Sequence, residues 1–486
     1  MSPPQRGRNT NRRPAPRRPT PPRRTPDPPR RIAFDLLAAI RERGAYANLT
    51  LPGLLDQADL DERDAALATE LGYGTVRWQG TLDAILSRCL DRLPSDLDPP
   101  VLDVLRLGAY QILHTRIPSY AAVAATVNLA GSVVGEGPAR LVNAVLRKVS
   151  KRDLDGWITT LAPTVGLDES ADDRDVAFAA LALRHAHPEW IVRAIAEALG
   201  SETLESNPAE LGEALAANNQ RPVVHLVARR ISRDELAMQV QGEPGPWSPY
   251  AVRIPDGGSP HNFAAIRDRR AGVQDEGSQL MALAVAGATV GGPSSTDGSS
   301  TWWLDICAGP GGKAALLAVL APERVRILAA DRAAHRALLV AHGTRGERVD
   351  VVSADGRQPP WREGFADRVL VDAPCSGLGA LRRRPDARWR RTVQDVAGLV
   401  ELQRELLAAA VTAARAGGVV AYVTCSPHPA ETVEVIRWAL ARGGVSALDA
   451  REALPGLPFL GAGPFVQLWP HRHGTDAMFL ALLRVH

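Results

Sequence analysis

From Ile32 to about Arg152, apolar residues recur every three or four positions, the spacing that lines one face of a helix. The pattern divides into Ile32–Ile40, Asp64–Trp78, Thr81–Leu90, Pro100–Leu113, Ala121–Val134 and Ala139–Val149, and strand-like alternation is nearly absent. Breaks fall at capping and proline signals: Asp61-Glu62-Arg63-Asp64 opens one helix, Pro99-Pro100 another, and Ile117-Pro118-Ser119 separates two more. Residues 32–155 are therefore expected to form an all-helical domain around one core. Between 156 and 217 the pattern weakens into a helical connecting region. It holds an acidic patch (Asp168, Glu169, Asp172, Asp173, Asp175) ahead of helical stretches at Trp190–Leu199 and Pro208–Ala217.

From about residue 218 the period shortens. The β-like runs Val223–Val227 and Ala251–Ile254 stand among Gly- and Pro-rich turns, and a Gly/Ser loop runs from Gly291 to Ser300, so 218–300 reads as a small α/β subdomain. Beyond Thr301 the apolar runs Trp302–Ile306, Arg326–Ala330, Val349–Val352, Arg368–Val371, Val419–Val423 and Ala477–Leu483 alternate with helical segments. That alternation predicts a mostly parallel, Rossmann-like sheet over 301–486, covered by helices on both faces, with ligands at the carboxyl ends of its strands. The fold expected is multidomain, all-α first and α/β after.

Charge changes the picture at one end. Residues 1–31 hold ten Arg, ten Pro and one acid, a local charge of +9, while the whole chain sums to only +3 and the remainder to −6. The arm reads as disordered, because so many prolines forbid an amphipathic transit helix. Any polyanion site on the body must be local. Among 57 basic residues only Lys148, Lys151 and Lys313 are lysine, so a retained lysine is mildly informative. The four Cys (Cys89, Cys307, Cys375, Cys425) lie far apart without a C-x-x-C pair, which suggests neither a disulfide framework nor a metal site. With no run of 18 apolar residues, a cytoplasmic chain without membrane span is expected.

The candidate chemistry gathers at strand ends. Trp303-Leu304-Asp305-Ile306-Cys307-Ala308-Gly309-Pro310-Gly311-Gly312-Lys313-Ala314 reads as strand, Gly-rich turn and helix start. It is neither a Walker A loop nor G-x-G-x-x-G, and alone it is as consistent with a tight β-to-α turn as with a cofactor cradle. Three acids tip the balance. Asp331 ends the second strand, where a carboxylate can accept from ribose hydroxyls; Asp355 follows the third, at a place suited to an adenine amine; Asp372 ends the fourth. A single Asp after a strand is more often a cap. Cys375 and Cys425 follow the fourth and fifth strands, where a thiolate can be a nucleophile rather than a buried filler.

Taken together, Asp305-Ile306-Cys307-Ala308-Gly309-Pro310-Gly311-Gly312-Lys313, Asp372-Ala373-Pro374-Cys375-Ser376-Gly377 and Thr424-Cys425-Ser426 resemble the RNA cytosine-C5 methyltransferases of the Fmu/Sun, RsmB-like group. Arg383-Arg384-Pro385-Asp386 with Trp389, Gln403, Gln274 with Ser278-Gln279, and Pro470-His471-Arg472-His473-Gly474-Thr475-Asp476 add to the match. The helical region resembles a NusB-type RNA-binding domain through Tyr73-Gly74-Thr75-Val76-Arg77 and Leu141-Val142-Asn143-Ala144-Val145-Leu146-Arg147. The resemblance implies S-adenosylmethionine as methyl donor and cytosine in RNA, foremost 16S ribosomal RNA, as acceptor, in a monomer. By it Cys307, Ala308, Gly309, Pro310, Gly311, Gly312 and Lys313 line the cofactor loop with Asp331, Asp355 and Asp372. Cys425 is the implied nucleophile, and Cys375 assists breakdown of the adduct.

Lys313 has two readings of equal weight: it orients the base or lowers a thiol pKa, or it bonds loop carbonyls. Arg382, Arg383, Arg384, Arg388, Arg390 and Arg391 form a basic run after Cys375 that is expected to meet RNA phosphates, against the plainer reading of a solvated helix end. The chain departs from the family at Ala308-Gly309-Pro310, Ala314 and Ala477-Met478-Phe479, which are small exchanges. His225-Leu226-Val227-Ala228 lacks the usual Arg and Asn, so substrate contacts there are open. The alternatives are a transfer-RNA cytosine methyltransferase and a non-catalytic RNA-binding or antitermination factor.

Overall fold

The computed structural model describes residues 27–162, 173–200, 207–255, 260–291 and 301–486. The Arg/Pro arm through residue 26, Asp168, Glu169 and Asp172 of the acidic patch, and the Gly/Ser loop after Gly291 lie outside the described residues. Pro28 and Pro29 start the first helix, Pro28–Arg43, where a missing N–H breaks no bond. The arm expected to run disordered to Arg31 therefore gives way to helix earlier. Arg30 is buried, donating to Gln111 Oε1 at 2.7 Å and pairing with Asp27 at 2.6 Å.

Two expected helices are one. Glu62–Cys89 runs unbroken past Gly80, capped at its start by the Asp61 carboxylate, which accepts from the Asp64 N–H at 2.7 Å. The glycine is not a break but a notch: a Cβ there would come within 2.4 Å of the Trp389 ring, and one at Gly74 within 2.0 Å of the Tyr110 ring. Helices Ala47–Asp56, Pro99–His114, Ser119–Val133 and Glu136–Val149 pack around it. Ile85, Leu86, Leu105, Leu107, Leu129 and Leu146 are buried between them. The helix Leu154–Leu161, across the expected boundary at 155, adds Trp157, Ile158 and Leu161 to this core.

The connecting helices Asp173–His185, Glu189–Ala198 and Pro208–Ala217 lead to a small antiparallel sheet. Its strands are β1 (Val224–Ala228), β2 (Glu243–Pro244), β3 (Ala251–Ile254) and β4 (Ala271–Val273), in the order β2-β3-β1-β4. The main sheet comprises β5 (Thr301–Asp305), β6 (Val325–Asp331), β7 (Val349–Ser353), β8 (Ala366–Asp372), β9 (Ala414–Thr424), β10 (Val445–Leu448), β11 (Val466–Gln467) and β12 (Phe479–Val485). Its order is β10-β12-β9-β8-β5-β6-β7, with β11 on β12. The run β9-β8-β5-β6-β7 is parallel as expected, whereas β12 enters antiparallel between β9 and β10.

Strand residues alternate between two apolar layers. Ile327, Leu370, Ala421 and Leu480 pack with helices Glu276–Gly287 and Gly312–Leu320; Leu304, Val371, Tyr422 and Leu483 pack with Val393–Ala413 and Val433–Ala441. The chain winds outward from β5 to β7 and then returns to β8 on the other side of β5. The reversal opens a crevice at the carboxyl ends of β5 and β8. No helix among the described residues is long and apolar enough to cross a membrane.

Candidate active site

The turn after β5 is tied to the end of β6. Gly309 N–H donates to Asp331 Oδ2 at 3.1 Å, and a Cβ at Gly309 would sit 2.4 Å from that oxygen. Gly311 has φ +108°, and its Cβ would meet the Val340 backbone at 3.0 Å, so this turn demands glycine. Asp331 also accepts from Ala333 N–H at 2.9 Å and faces Arg336 at 3.4 Å; a carboxylate's remaining lone pairs can still receive ribose hydroxyls. Asp355 stands on the rim beyond β7. Hydrogen bonds from Arg357, at 3.0 and 2.7 Å, hold it at about 2, and Arg357 in turn reaches Glu405 at 3.1 Å.

Two buried acceptors beside this loop are unsatisfied, Asp305 Oδ2 and Gln274 Oε1. Gln274 lies over Gly312, where a Cβ would approach its amide carbon to 3.6 Å. S-adenosylmethionine carries an ammonium and a sulfonium, so orphaned acceptors at the loop match its charge. Burial pushes Asp305 up to about 8, with Asp372 adding to the shift and Lys313 opposing it. A cation bound beside Asp305 favours its ionised form, so below about pH 8 binding should release a proton. Cofactor affinity is expected to rise from pH 6 to 8, and Asp305→Asn to flatten that slope. Calorimetry in two buffers of different ionisation enthalpy checks this; identical heats and a pH-independent Kd in the wild type would contradict it.

Lys313, on the first turn of Gly312–Leu320, donates to Asp372 Oδ2 at 2.8 Å across the crevice. Burial works against its charge, yet the Asp372 carboxylate, with Cys425 and Asp305 adding to it, holds the ammonium above its ordinary value. The two thiols meet at the end of the same crevice, with Cys375 and Cys425 Sγ atoms 3.3 Å apart. The hydrogen bond from Cys375 pulls Cys425 below the usual thiol range, with Lys313 and Arg384 assisting against burial and Asp372. Cys375 goes the other way, raised by that same bond, by burial and by the charge of Glu431. The arrangement favours a thiolate at Cys425 over one at Cys375, with the two sulfurs in hydrogen-bond contact. Cys307, beside Asp305 and pushed up by burial, is not poised to ionise.

The arginine run behaves differently from its expected role. Arg388 is wholly buried, donating to Ala186 O at 2.9 Å, Asn219 Oδ1 at 2.8 Å and Asn218 O at 3.2 Å. Arg382 is buried against Gly474 O at 3.1 Å. Arg383 pairs with Asp476 at 3.1 Å and with Asp275. These three are internal cross-links rather than phosphate ligands, because Arg382 and Arg388 are buried away from solvent and Arg383 is held by two carboxylates. Trp389 enters the Gly80 notch and donates to Val76 O at 2.7 Å. Arg384 remains half-exposed, stacked on Tyr46 and bearing on Cys425. It is the member of the expected RNA set, Arg382, Arg383, Arg384 and Arg388, that the structure leaves beside the thiols.

Sequence reasoning missed Glu431. It is fully buried, accepting from Ser376 N–H at 2.7 Å, Ser426 Oγ at 2.7 Å, Gln403 Nε2 at 3.1 Å and Ser376 Oγ. It lies in a 3-10 turn, Pro429–Glu431, with no strand end to flag it. The available signal was the pair of serines following Cys375 and Cys425.

With this geometry in place, comparisons with known proteins can be read against it. A family model described as 16S rRNA methyltransferase RsmB/F matches residues 296–484, and one described as NusB family matches 27–151. A Mycobacterium tuberculosis (strain ATCC 25618 / H37Rv) protein named only as a methyltransferase is 51% identical over 462 residues, 94% of this chain and 96% of its own. Ribosomal RNA small subunit methyltransferase B of Sodalis glossinidius (strain morsitans) is 33% identical over 468 residues, 93% of this chain and 96% of its own. The crystal structure of PH0851 shares the fold, with TM-score 0.74 and 21% identity over 95% of this chain and 100% of that one. Matched in both domains and related along nearly its whole length, the chain belongs to the RsmB/F family of S-adenosylmethionine-dependent methyltransferases.

Proposed function

We propose that this enzyme methylates C5 of cytosine in 16S ribosomal RNA through a covalent bond between Cys425 and C6 of the base. The observation that carries this reading is the pair of sulfurs 3.3 Å apart with opposite protonation tendencies. Methylation of an amine or hydroxyl needs no thiol nucleophile; C5 of a pyrimidine does, because it is a poor nucleophile until the ring is opened to electrons by addition at C6.

In this mechanism the Cys425 thiolate adds to C6 and the displaced π electrons move toward N3, which takes up a proton that it gives back once C5 carries the methyl and the C4=N3 bond re-forms. Asp372, gripped by the Lys313 ammonium, is the group at the crevice that can hydrogen-bond this edge of the ring. S-adenosylmethionine supplies an electrophilic methyl carbon, whose bonding pair to sulfur leaves with the sulfur as C5 takes the methyl. A base then removes the C5 proton, C5=C6 re-forms and the C6–S bond breaks back to Cys425. Cys375, already in contact with that sulfur, is the group assigned to this last stage. The base must leave its stack to reach both thiol and cofactor, which favours an unpaired nucleotide.

The family description and the Sodalis relative's name support ribosomal RNA as the acceptor. The test is Cys375→Ala with cofactor and 16S RNA: a slower protein band on a denaturing gel is expected, from stalled adduct. Bisulfite sequencing of ribosomal and transfer RNA from a deletion strain assigns the substrate. Loss of 5-methylcytosine from transfer RNA alone would overturn the ribosomal assignment.

A further inference from the structure

Cys375 and Cys425 are each followed at once by a serine, and both serines end on one carboxylate. Ser376 and Ser426 hydroxyls lie 3.0 Å apart, and Glu431 receives both of them at Oε2. Its Oε1 receives the Ser376 N–H and Gln403 Nε2, and Gln403 also holds Pro374 O at 2.9 Å, on the other side of Cys375. Tyr422 OH fixes the Glu431 backbone carbonyl at 2.8 Å. The loops after β8 and β9 thus share one buried carboxylate, beside the Gly379 N–H to Cys425 O bond at 2.9 Å that also joins them.

We propose that Glu431 is a positioning residue that clasps the two cysteine-bearing loops together and so decides which sulfur attacks. This deepens the covalent reading above and rests on it. The clasp sets the sulfur contact by geometry, since each serine is covalently next to its cysteine. It also sets polarity: the anion lies on the Cys375 side, whereas Lys313 and Arg384 lie on the Cys425 side. The charged and titratable groups facing the pair are therefore Asp372, Lys313, Arg384, Glu431 and Tyr422, with His428 near Glu431 and with Glu197 and Glu434 near His428. A negative charge beside Cys375 disfavours its thiolate and keeps the proton there, which leaves Cys425 as the free nucleophile.

Glu431→Gln isolates the charge. Serine hydroxyls can turn to accept from the new amide, so the hydrogen-bonded cluster survives in neutral form. Iodoacetamide labelling of the full-length protein, mapped by mass spectrometry across pH 6 to 9, should show Cys425 labelled first in wild type. In Glu431→Gln the preference for Cys425 over Cys375 is expected to fall about tenfold, one pKa unit of relative thiol acidity. Its kcat should fall while KM for S-adenosylmethionine stays unchanged. Ser376→Ala and Ser426→Ala, which remove single clasp bonds, are second variants should the first fold poorly, and each should narrow the same preference.

A purely structural Glu431 predicts a lower melting temperature with wild-type labelling selectivity, and that result overturns the proposal. The labelling readout needs no RNA. If the wild type makes no 5-methylcytosine yet the selectivity collapses in Glu431→Gln, the cytosine reading fails and the clasp stands.

Discussion

Replacing Cys425 with alanine is expected to lower methyl transfer by about 10⁴-fold or more, the scale on which enzymes depend on a covalent nucleophile, while S-adenosylmethionine still binds. The loop that cradles the cofactor, from Cys307 to Lys313, and its partner Asp331 draw no hydrogen bond from Cys425, so the cofactor site should be intact. The adduct expected from Cys375→Ala provides an internal control. It should vanish in the double variant, because the bond to C6 belongs to Cys425. Single-turnover methylation and a denaturing gel read both outcomes. Robust turnover by Cys425→Ala would transfer the nucleophile's role to Cys375, and an adduct that survives in the double variant would place the bond on neither sulfur.

The second large effect is on stability. Arg388→Ala should cost about 3–5 kcal/mol, because it empties a buried volume and leaves the acceptors of Ala186, Asn218 and Asn219 without a donor in a site closed to water. Arg388→Met retains much of the volume and should recover the cavity part of the loss but not the hydrogen-bond part. The same segment carries Trp389 into the helical domain, so Arg388→Ala is also expected to split one unfolding transition into two as that domain and the sheet domain uncouple. Denaturant melts followed by tryptophan fluorescence measure both. A single transition at the wild-type midpoint would mean that this arginine is dispensable to the joint.

These two residues mark the limits of what a sequence conveys. Cys425 was legible because it ends a strand that has an obvious apolar run and lies beside a second cysteine-bearing strand end. Arg388 was misjudged because a dense run of arginines looks the same whether it is solvated or buried. Only the third dimension brings Ala186, Asn218 and Asn219 around it. The gap left between Trp78 and Thr81 has a related reason: Gly80 breaks the apolar pattern without breaking the helix, and it makes room for an aromatic ring more than three hundred residues away in the chain. The strand β10 is four residues long, follows Gly443-Gly444 and left too short a pattern to register. Glu431 stayed invisible because its partners converge from β8, β9 and the helix before β9.

The placement of β12 has a consequence for how the protein is made. This strand is the last of the described elements to leave the ribosome, yet it lies inside the sheet, pairing with β9 from Phe479 opposite Thr424 to Arg484 opposite Val419. Just before it, Ala477 N–H holds Gly379 O, and Gly379 N–H holds Cys425 O, both at 2.9 Å. The strand that leads to Cys425 therefore gains its second neighbour only once β12 has been made. At about 5–20 residues per second, the helical domain is complete tens of seconds earlier. For the first part of that interval, until Trp389 has been made, the Gly80 notch stands open. A nascent chain at this stage carries a folded helical domain and a crevice of two thiols that is not yet closed, so the helical domain is formed before the catalytic crevice is complete.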